Sequence, residues 1–163
     1  MELMRLGHEA TRLESTPLPG VFADVRHACN GLEGANVSFA NAQGIHVMAD
    51  RPLLADLLYN LVVNAVRASR PGGPVQVGFE VQNDAVVLFV RDEGRGIPQN
   101  ELGRITEPFY MVDKSRARAQ NGSGLGLALC QRIAVAHRST LQFESEVGKG
   151  TTVRLALRRG EAP

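Results

Sequence analysis

Three glycines spaced two residues apart stand directly before a run of small and apolar residues in 121-NGSGLGLALC-130. Glycine loses more backbone freedom on folding than any other residue, so Gly122, Gly124 and Gly126 need a reason to stand together. A ligand that approaches the backbone closely is one such reason. The apolar run predicts a helix, and a helix start presents free N–H groups and the positive end of its dipole to an anion. The stretch therefore predicts a phosphate site at a helix N-terminus.

A second candidate group lies on a helix predicted over residues 50–69. Leucines and valines at helical spacing form its apolar stripe, and Asp56, Asn60, Asn64 and Arg67 share a neighbouring face. Asparagine is a poor helix former and is costly to bury without partners. Either the amides are boundary groups bonded to loops, or they form a metal and phosphate face. In the second case an Asn carbonyl oxygen binds Mg²⁺ and Arg67 contacts a phosphate.

A third candidate, 92-DEGRGIP-98, follows an apolar strand. A carboxylate at Asp92, with Gly94 and Gly96 beyond it, suits a ligand that comes close to the backbone while donating a hydrogen bond to the acid. The exocyclic amine of adenine is a donor of this kind. The alternative interpretation is an ordinary Asp-Gly turn.

The segment 106-TEPFYMVDKSRAR-118 combines the aromatic pair Phe109 and Tyr110 with the cations Lys114, Arg116 and Arg118. It belongs to a long stretch, residues 93–124, with only one short apolar-periodic piece near 99–105. So long an irregular segment inside a compact domain is typical of a functional lid or of disorder. The alternative is a surface loop with a solvated run of charge.

Helices and strands must position these groups, and periodicity predicts both. Residues 1–14 resemble a short helical piece, which residues 16–20, with two prolines, interrupt. Helices are predicted over about 21–32, 50–69 and 125–138. Strands are predicted at 36–40, 44–48, 75–82, 85–92, 140–145 and 151–157, with hairpin turns at Asn83-Asp84 and at Gly148 and Gly150. The order predicts an α+β fold, a two-layer α/β sandwich in which a mixed, mostly antiparallel sheet packs helices on one face.

Composition limits the class of protein. A chain of 163 residues suits one domain with a real core, and a net charge of +1 argues against a surface that coats nucleic acid. Cys29 and Cys130 match no disulfide framework and no zinc spacing, which favours a reducing compartment. No apolar run reaches the roughly 18 residues that cross a bilayer, and no signal peptide is recognisable. We therefore expect a cytoplasmic domain, although it could be cut from a larger membrane protein.

Four motifs of the chain, taken in order, resemble the N, G1, F and G2 boxes of the ATP-binding catalytic domain of bacterial sensor histidine kinases. They are N-x-x-x-N-A, D-x-G-x-G, E-P-F-Y and G-S-G-L-G-L. This family belongs to the gyrase, Hsp90, histidine kinase and MutL ATPase superfamily. The resemblance covers about residues 20–158. It implies the Bergerat-type sandwich with a mobile ATP lid, and a role in two-component signal transduction. The glycine pattern differs from the dinucleotide fingerprint GxGxxG and from a P-loop.

The resemblance implies a mechanism in which the γ-phosphoryl of Mg-ATP is transferred to a histidine. It makes Asn64 the Mg²⁺ ligand, with Asn60 supporting that site and Arg67 contacting phosphate. The domain itself would supply position and charge neutralisation, which is what phosphoryl transfer mostly requires.

The resemblance also implies the residues that hold the nucleotide. Asp92 would accept the adenine amine, and glycines beyond it would leave room for the base. The aromatic pair would anchor the lid. The full set of expected ATP contacts is Asn60, Asn64, Arg67, Asp92, Gly94, Gly96, Ile97, Phe109, Tyr110, Lys114, Arg116, Gly122, Ser123, Gly124, Leu125, Gly126, Leu127 and Thr151.

Two departures from the wider superfamily refine the expectation. At the position of Asn60, the ATPases of the superfamily carry a glutamate, and this glutamate activates water. Asn60 therefore argues against hydrolysis. The only candidate for the phosphoacceptor box is His8-Glu9, and Pro17 lies too far beyond it to match that box. The acceptor histidine is therefore expected on a dimerisation domain absent from this chain.

The expected organisation follows from that absence. Residues 1–15 would be a remnant of the preceding dimerisation helix or linker, residues 16–159 the catalytic domain, and residues 160–163 a tail. The expected partners are the dimerisation domain of the same kinase and a response regulator, with no nucleic acid and no membrane contact. An alternative of another class is a non-catalytic module of the same fold that senses ATP or docks a partner. A superfamily ATPase is a further alternative.

Overall fold

The computed structural model describes residues 10–115 and 122–163. Within them, the helices are α1 (Leu18–Cys29), α2 (Arg51–Ala68) and α3 (Gly126–Ala136). The strands are β1 (Glu14–Pro17), β2 (Asn36–Phe39), β3 (His46–Ala49), β4 (Pro74–Gln82), β5 (Ala85–Asp92), β6 (Leu141–Glu146) and β7 (Gly150–Arg158). No helix in these two ranges is both long and apolar enough to cross a bilayer.

The main sheet has the strand order β2-β4-β5-β7-β6. β2 lies parallel to β4, and every other neighbouring pair is antiparallel. Alternate residues of β7 are buried toward the helices: Thr151, Val153, Leu155 and Leu157. α1 and α3 both pack on α2, which in turn contacts β5. The predicted two-layer sandwich with a mixed, mostly antiparallel sheet is confirmed.

Helix α2 forms where the sequence predicts it and for the predicted reasons. The Asp50 side chain accepts a hydrogen bond from Leu53 N at 3.3 Å, and a proline stands in the first turn, where its missing N–H does no harm. The predicted stripe is buried: Leu54, Leu57, Leu58, Leu61, Val62 and Ala65. The helix ends before 71-PGGP-74, and Ser69 Oγ donates to Ala65 O at 2.8 Å.

The N-terminal prediction is wrong between residues 14 and 20. Glu14–Pro17 forms β1, which pairs with β3 although the two strands are far apart in sequence. The prolines that predict a break instead stand before and within the first turn of α1, where the fixed φ of proline suits a helix start. Thr16 is buried and donates to Ala49 O at 3.0 Å. Ordered structure therefore begins before residue 16.

The chain is also ordered beyond residue 159. Gly160 N donates to His46 O at 2.8 Å, and the Ser15 hydroxyl donates to the Glu161 carbonyl. These bonds join the C-terminal residues to the edge formed by β1 and β3. Part of the predicted tail at 160–163 is thus attached to the domain.

The two predicted hairpin turns are confirmed, and both use left-handed backbone. Asn83 has φ of 50°, and Gly148 and Gly150 have φ of 82° and 127°. Asparagine and glycine are the residues that adopt such angles at least cost. The second turn lies against the loop that follows β5, where Gly148 N donates to Arg95 O at 2.7 Å.

Candidate nucleotide site

A cavity of 810 Å³ opens between α2, the loop after β5, the start of α3 and the β6–β7 hairpin. It brings together groups that are far apart in sequence. The predicted site residues that line it are Asn60, Asn64, Arg67, Asp92, Gly96, Ile97, Tyr110, Gly122, Ser123, Gly124, Leu125, Gly126, Leu127 and Thr151. A pocket of this size suits a nucleotide-sized ligand.

The asparagine pair of α2 faces the start of α3 across the cavity. Asn60 Nδ2 donates to the carbonyl oxygen of Asp56 at 2.8 Å. A Cβ placed on Gly126 would lie 3.5 Å from Asn60 Oδ1 and 3.8 Å from Asn64 Nδ2. The amides and the helix N-terminus are therefore close enough to contact one small charged group together.

The amide of Asn64 has hydrogen-bonding capacity that the described residues do not use. Its Nδ2 is buried and has no hydrogen-bond partner among them. The two ends of an amide exchange by rotation about χ2, so the carbonyl oxygen can occupy the position of Nδ2. Mg²⁺ takes oxygen ligands of this kind. The residues present thus fit the predicted metal at Asn64, beside Asn60.

Helix α3 begins without a side-chain cap. Its N-cap residue is Leu125, whose side chain makes no capping hydrogen bond. The first N–H groups of a helix have no intrahelical partner and favour an anion. Leu125, Gly126 and Leu127 all line the cavity, so these N–H groups stand at the place where the glycine cluster predicts an anion site.

The reason for Gly124 differs from the predicted one. A Cβ on Gly124, which has φ of 71°, would lie 2.8 Å from the carbonyl carbon of Phe109. Phe109 N also donates to Gly124 O at 2.9 Å. The close approach that requires glycine here is made by the chain's own backbone. Gly126 is the glycine whose missing side chain leaves space toward the asparagines.

The glycines after Asp92 likewise serve packing. A Cβ on Gly94 would lie 2.5 Å from Ala68 O, and one on Gly96 would collide with the carbonyl oxygen of Glu146. The predicted room for a base at these two positions is thus occupied by protein backbone. Gly94 does not line the cavity, whereas Gly96 does. Both glycines let the loop after β5 pack against α2 and the β6–β7 hairpin.

Asp92 is the buried acid of the cavity, with 8% of its surface exposed. Burial raises the pKa of its carboxyl, while hydrogen bonds from the backbone of Gly94 and Thr151 and the charge of Arg95 oppose that shift. Oδ1 accepts from Gly94 N at 2.8 Å. Thr151, also 8% exposed, is the cross-strand partner of Asp92. The two oxygen-bearing side chains therefore stand side by side in the cavity.

The direction of this pKa shift predicts how Asp92→Asn changes stability. An acid whose pKa is higher in the folded state is ionised there at a cost, so at neutral pH it lowers the free energy of unfolding. That cost disappears as the pH falls through the folded-state pKa. Asparagine keeps an acceptor for Gly94 N–H and carries no charge. We expect Asp92→Asn to raise the free energy of unfolding of the nucleotide-free domain at pH 7, measured by urea denaturation.

The difference between Asp92→Asn and wild type should shrink as the pH is lowered into the acid range. Asp84→Asn, at an exposed carboxylate in the β4–β5 turn, is the matched control and should leave the free energy of unfolding at pH 7 close to that of wild type. A lower stability of Asp92→Asn at pH 7 would contradict the assignment of Asp92 as a desolvated charge.

The predicted lid residues are placed unevenly. Phe109 is 71% exposed and does not line the cavity. Its attachment is through the backbone, since Phe109 N donates to Gly124 O. Tyr110 lines the cavity, with the Arg104 guanidinium 4.3 Å from its ring centroid. Lys114 is exposed and does not line the cavity, and Arg116 lies outside the described residues.

Sequence reasoning missed Ser145 on β6, which bonds both the loop after β5 and the start of β7. Its hydroxyl lies 2.7 Å from Ile97 N, 3.1 Å from Gly150 O and 2.8 Å from Thr151 Oγ1. Ser145 O also accepts from Gln99 Nε2 at 2.6 Å. The only signal in the sequence is a polar residue in an alternating strand, which is typical of any strand with one solvated face.

Comparisons with known proteins place the chain among proteins of known class. Residues 49–161 match the family described as histidine kinase-, DNA gyrase B-, and HSP90-like ATPase. Sensor histidine kinase WalK of Bacillus subtilis is 36% identical over 115 residues, which are 69% of this chain and 19% of WalK. Sensor protein SrrB of Staphylococcus aureus is 32% identical over 128 residues, 78% of this chain and 22% of SrrB. The chain thus spans about a fifth of the length of these relatives.

Solved structures show the same architecture. The mycobacterial sensor histidine kinase MprB superposes with a TM-score of 0.74 at 23% identity, covering 92% of this chain and 99% of that one. Full-length ShkA in complex with AMPPNP superposes with a TM-score of 0.78 at 25% identity, covering 98% of this chain and 34% of ShkA.

Proposed function

The chain belongs to the histidine kinase-, DNA gyrase B-, and HSP90-like ATPase family, and from that premise we propose that it is the ATP-binding catalytic domain of a two-component sensor histidine kinase. It transfers the γ-phosphoryl of Mg-ATP to a histidine on a dimerisation domain. The observation that carries the proposal is the single cavity joining the α2 asparagines, the uncapped start of α3 and the buried Asp92.

The phosphates occupy the end of the cavity between α2 and α3. The free N–H groups at the start of α3 donate to phosphate oxygens, and Arg67 adds a positive charge from the last turn of α2. Asn64 holds Mg²⁺, and Asn60 supports it. The metal ion, when bound, neutralises charge on the phosphates. The protein groups orient the γ-phosphoryl toward the open side of the cavity.

The base occupies the end formed by β5 and β7. The Asp92 carboxylate, already bonded to Gly94 N through Oδ1, accepts one further hydrogen bond from the exocyclic amine of adenine. The Thr151 hydroxyl lies beside it. Ile97 supplies apolar surface in the same part of the cavity. This end therefore selects the nucleotide and the opposite end positions it for transfer.

Transfer to a histidine is favoured over hydrolysis because Asn60 is an amide. Hydrolysis needs a general base that orients and deprotonates water, and an amide has no useful pKa for that role. In the structure the Asn60 amide is also engaged, since Nδ2 donates to Asp56 O. The phosphorylated histidine of the dimerisation domain then passes its phosphoryl group to a response regulator. The domain works on the cytoplasmic side of the membrane.

Binding of nucleotide by the isolated domain tests this proposal. We expect Mg-ATP to bind with a Kd of about 10 µM, or about −7 kcal/mol, and GTP to compete much more weakly. Asp92→Ala should weaken ATP binding by about 1–3 kcal/mol, because the adenine amine loses a buried acceptor. Isothermal titration calorimetry measures both quantities.

The exposed Asp84→Ala is the matched control and should bind ATP as the wild type does. Equal affinity of the wild-type domain for ATP and GTP would show that Asp92 does not select the base. Absence of any ATP binding in the presence of Mg²⁺ would overturn the proposed function.

A further inference from the structure

The hydroxyl of Ser145 sits where three hydrogen-bonding groups meet. The backbone N–H of Ile97 donates to it at 2.7 Å, the carbonyl oxygen of Gly150 lies 3.1 Å away, and the hydroxyl of Thr151 lies 2.8 Å away. Ser145 is half-buried and does not line the cavity, whereas Thr151 does. Ser145 can therefore affect a ligand only through its neighbours.

Counting donors and acceptors fixes the direction of the bond between the two hydroxyls. A serine hydroxyl has one proton to donate and two lone pairs to accept with. The carbonyl of Gly150 can only accept, so it takes the Ser145 proton. The N–H of Ile97 fills one of the two acceptor positions. If all three contacts are hydrogen bonds at once, Thr151 must be the donor to Ser145.

Once the Thr151 proton is committed to Ser145, Thr151 presents only lone pairs to the cavity. Its cross-strand neighbour Asp92 also presents acceptors, and both side chains are 8% exposed. Directly opposed residues on one sheet face have Cβ atoms about 4.5–5.5 Å apart. The base end of the cavity therefore offers two adjacent acceptors.

We infer that Ser145 is a positioning residue that sets base specificity by holding Thr151 as a hydrogen-bond acceptor. The inference rests on the proposed function, since it requires a purine at this end of the cavity. An exocyclic amine carries two N–H donors and can satisfy Asp92 and Thr151 together. A purine with a carbonyl at the same position places an acceptor against Asp92 and Thr151, which are both acceptors. No hydrogen bond forms, and this purine binds more weakly.

The test compares ATP with inosine triphosphate, which has a carbonyl in place of the 6-amine. Ser145→Ala releases the Thr151 hydroxyl, which can then turn and donate to that carbonyl. We expect Mg-inosine triphosphate to bind more tightly to Ser145→Ala than to wild type. The ratio of the two dissociation constants should fall about tenfold, or about 1.4 kcal/mol. Calorimetry on the whole 163-residue chain measures both constants.

This readout separates specificity from structural damage. The loss of the bond to Ile97 N would weaken both nucleotides alike and leave their ratio unchanged, and that result would overturn the role of Ser145. Ser38→Ala, at an exposed serine on β2, is the matched control and should keep the wild-type ratio. A wild-type domain that binds neither nucleotide would overturn the proposed function instead.

A second pair of variants decides the matter if Ser145→Ala does not fold. Threonine and valine have the same shape, both suit a strand, and they differ in the hydroxyl. Ser145→Thr should keep the preference for ATP, whereas Ser145→Val should lose about tenfold of it. Equal ratios in these two variants would contradict the inference.

Discussion

Asn64→Ala should weaken Mg-ATP binding about 100-fold, or about 2.7 kcal/mol. Asn64 lines the cavity between α2 and α3, and its buried Nδ2 has no partner within the described residues. An amide held in this way costs free energy until a ligand engages it. Alanine removes the one side chain that we assign to the metal, so most of the Mg²⁺ dependence should disappear with it.

Calorimetry with Mg²⁺ and with a chelator measures this effect. In chelator, wild type and Asn64→Ala should bind ATP with similar, weak affinity. When Mg²⁺ is added, the affinity for ATP should rise in the wild type and stay weak in Asn64→Ala. Asn100→Ala, at an exposed asparagine, is the matched control. Equal affinity of wild type and Asn64→Ala for Mg-ATP would remove Asn64 from the metal site.

The same variant should not destabilise the nucleotide-free domain. Truncating a buried polar group that has no partner removes an unfavourable term from the folded state. A structural asparagine bonded to a loop, which the sequence leaves open as an alternative, would behave in the opposite way. Urea denaturation of Asn64→Ala without nucleotide therefore distinguishes a ligand-binding amide from a structural one.

Local patterns in the sequence suffice to predict the elements that carry the site. α2 combines an acidic cap, a proline in the first turn and a stripe of leucines and valines, and each of these acts locally. The hairpins follow from Asn83 and from Gly148 and Gly150, whose backbone angles need such residues. In the folded chain, the asparagines, Asp92 and the start of α3 line one cavity.

Features that depend on contacts distant in sequence were not predictable in this way. β1 forms because Glu14–Pro17 pairs with His46–Ala49, and nothing within residues 14–17 indicates that partner. The glycine at 124 is required by the backbone of Phe109, and the one at 96 by the carbonyl of Glu146. The contacts of Ser145 with Ile97, Gly150 and Thr151, two of which line the cavity, are likewise visible only in the folded chain.

The histidines of the chain bear on whether it can phosphorylate itself. His27, His46 and His137 lie within the described residues, and none of them lines the cavity. His137 is buried, with Nε2 accepting from Asp50 N at 3.1 Å and Nδ1 lying 2.8 Å from Ile133 O. Both of its ring nitrogens are therefore engaged. His8 lies outside the described residues, and its sequence context does not match the acceptor box.

The isolated chain should therefore bind ATP and leave it almost unchanged. Transfer needs a nucleophile held at attacking distance and in line with the leaving group, and the three described histidines are not at the cavity. Hydrolysis needs a base, and Asn60 is an amide. A cognate dimerisation domain should supply the missing nucleophile but no base for hydrolysis. Acid-labile label from γ-labelled ATP should therefore appear on that domain about 100-fold faster than free phosphate forms.

Two variants make this experiment decisive. Asn64→Ala should abolish the transfer, because the nucleotide is no longer bound productively. His8→Ala should transfer as the wild type does, because His8 is not the acceptor. Rapid release of phosphate by the chain alone would make it an ATPase of the same family. If the wild-type chain becomes stably labelled and His8→Ala does not, the acceptor lies in this chain. The expected dimerisation domain would then not be needed for phosphorylation.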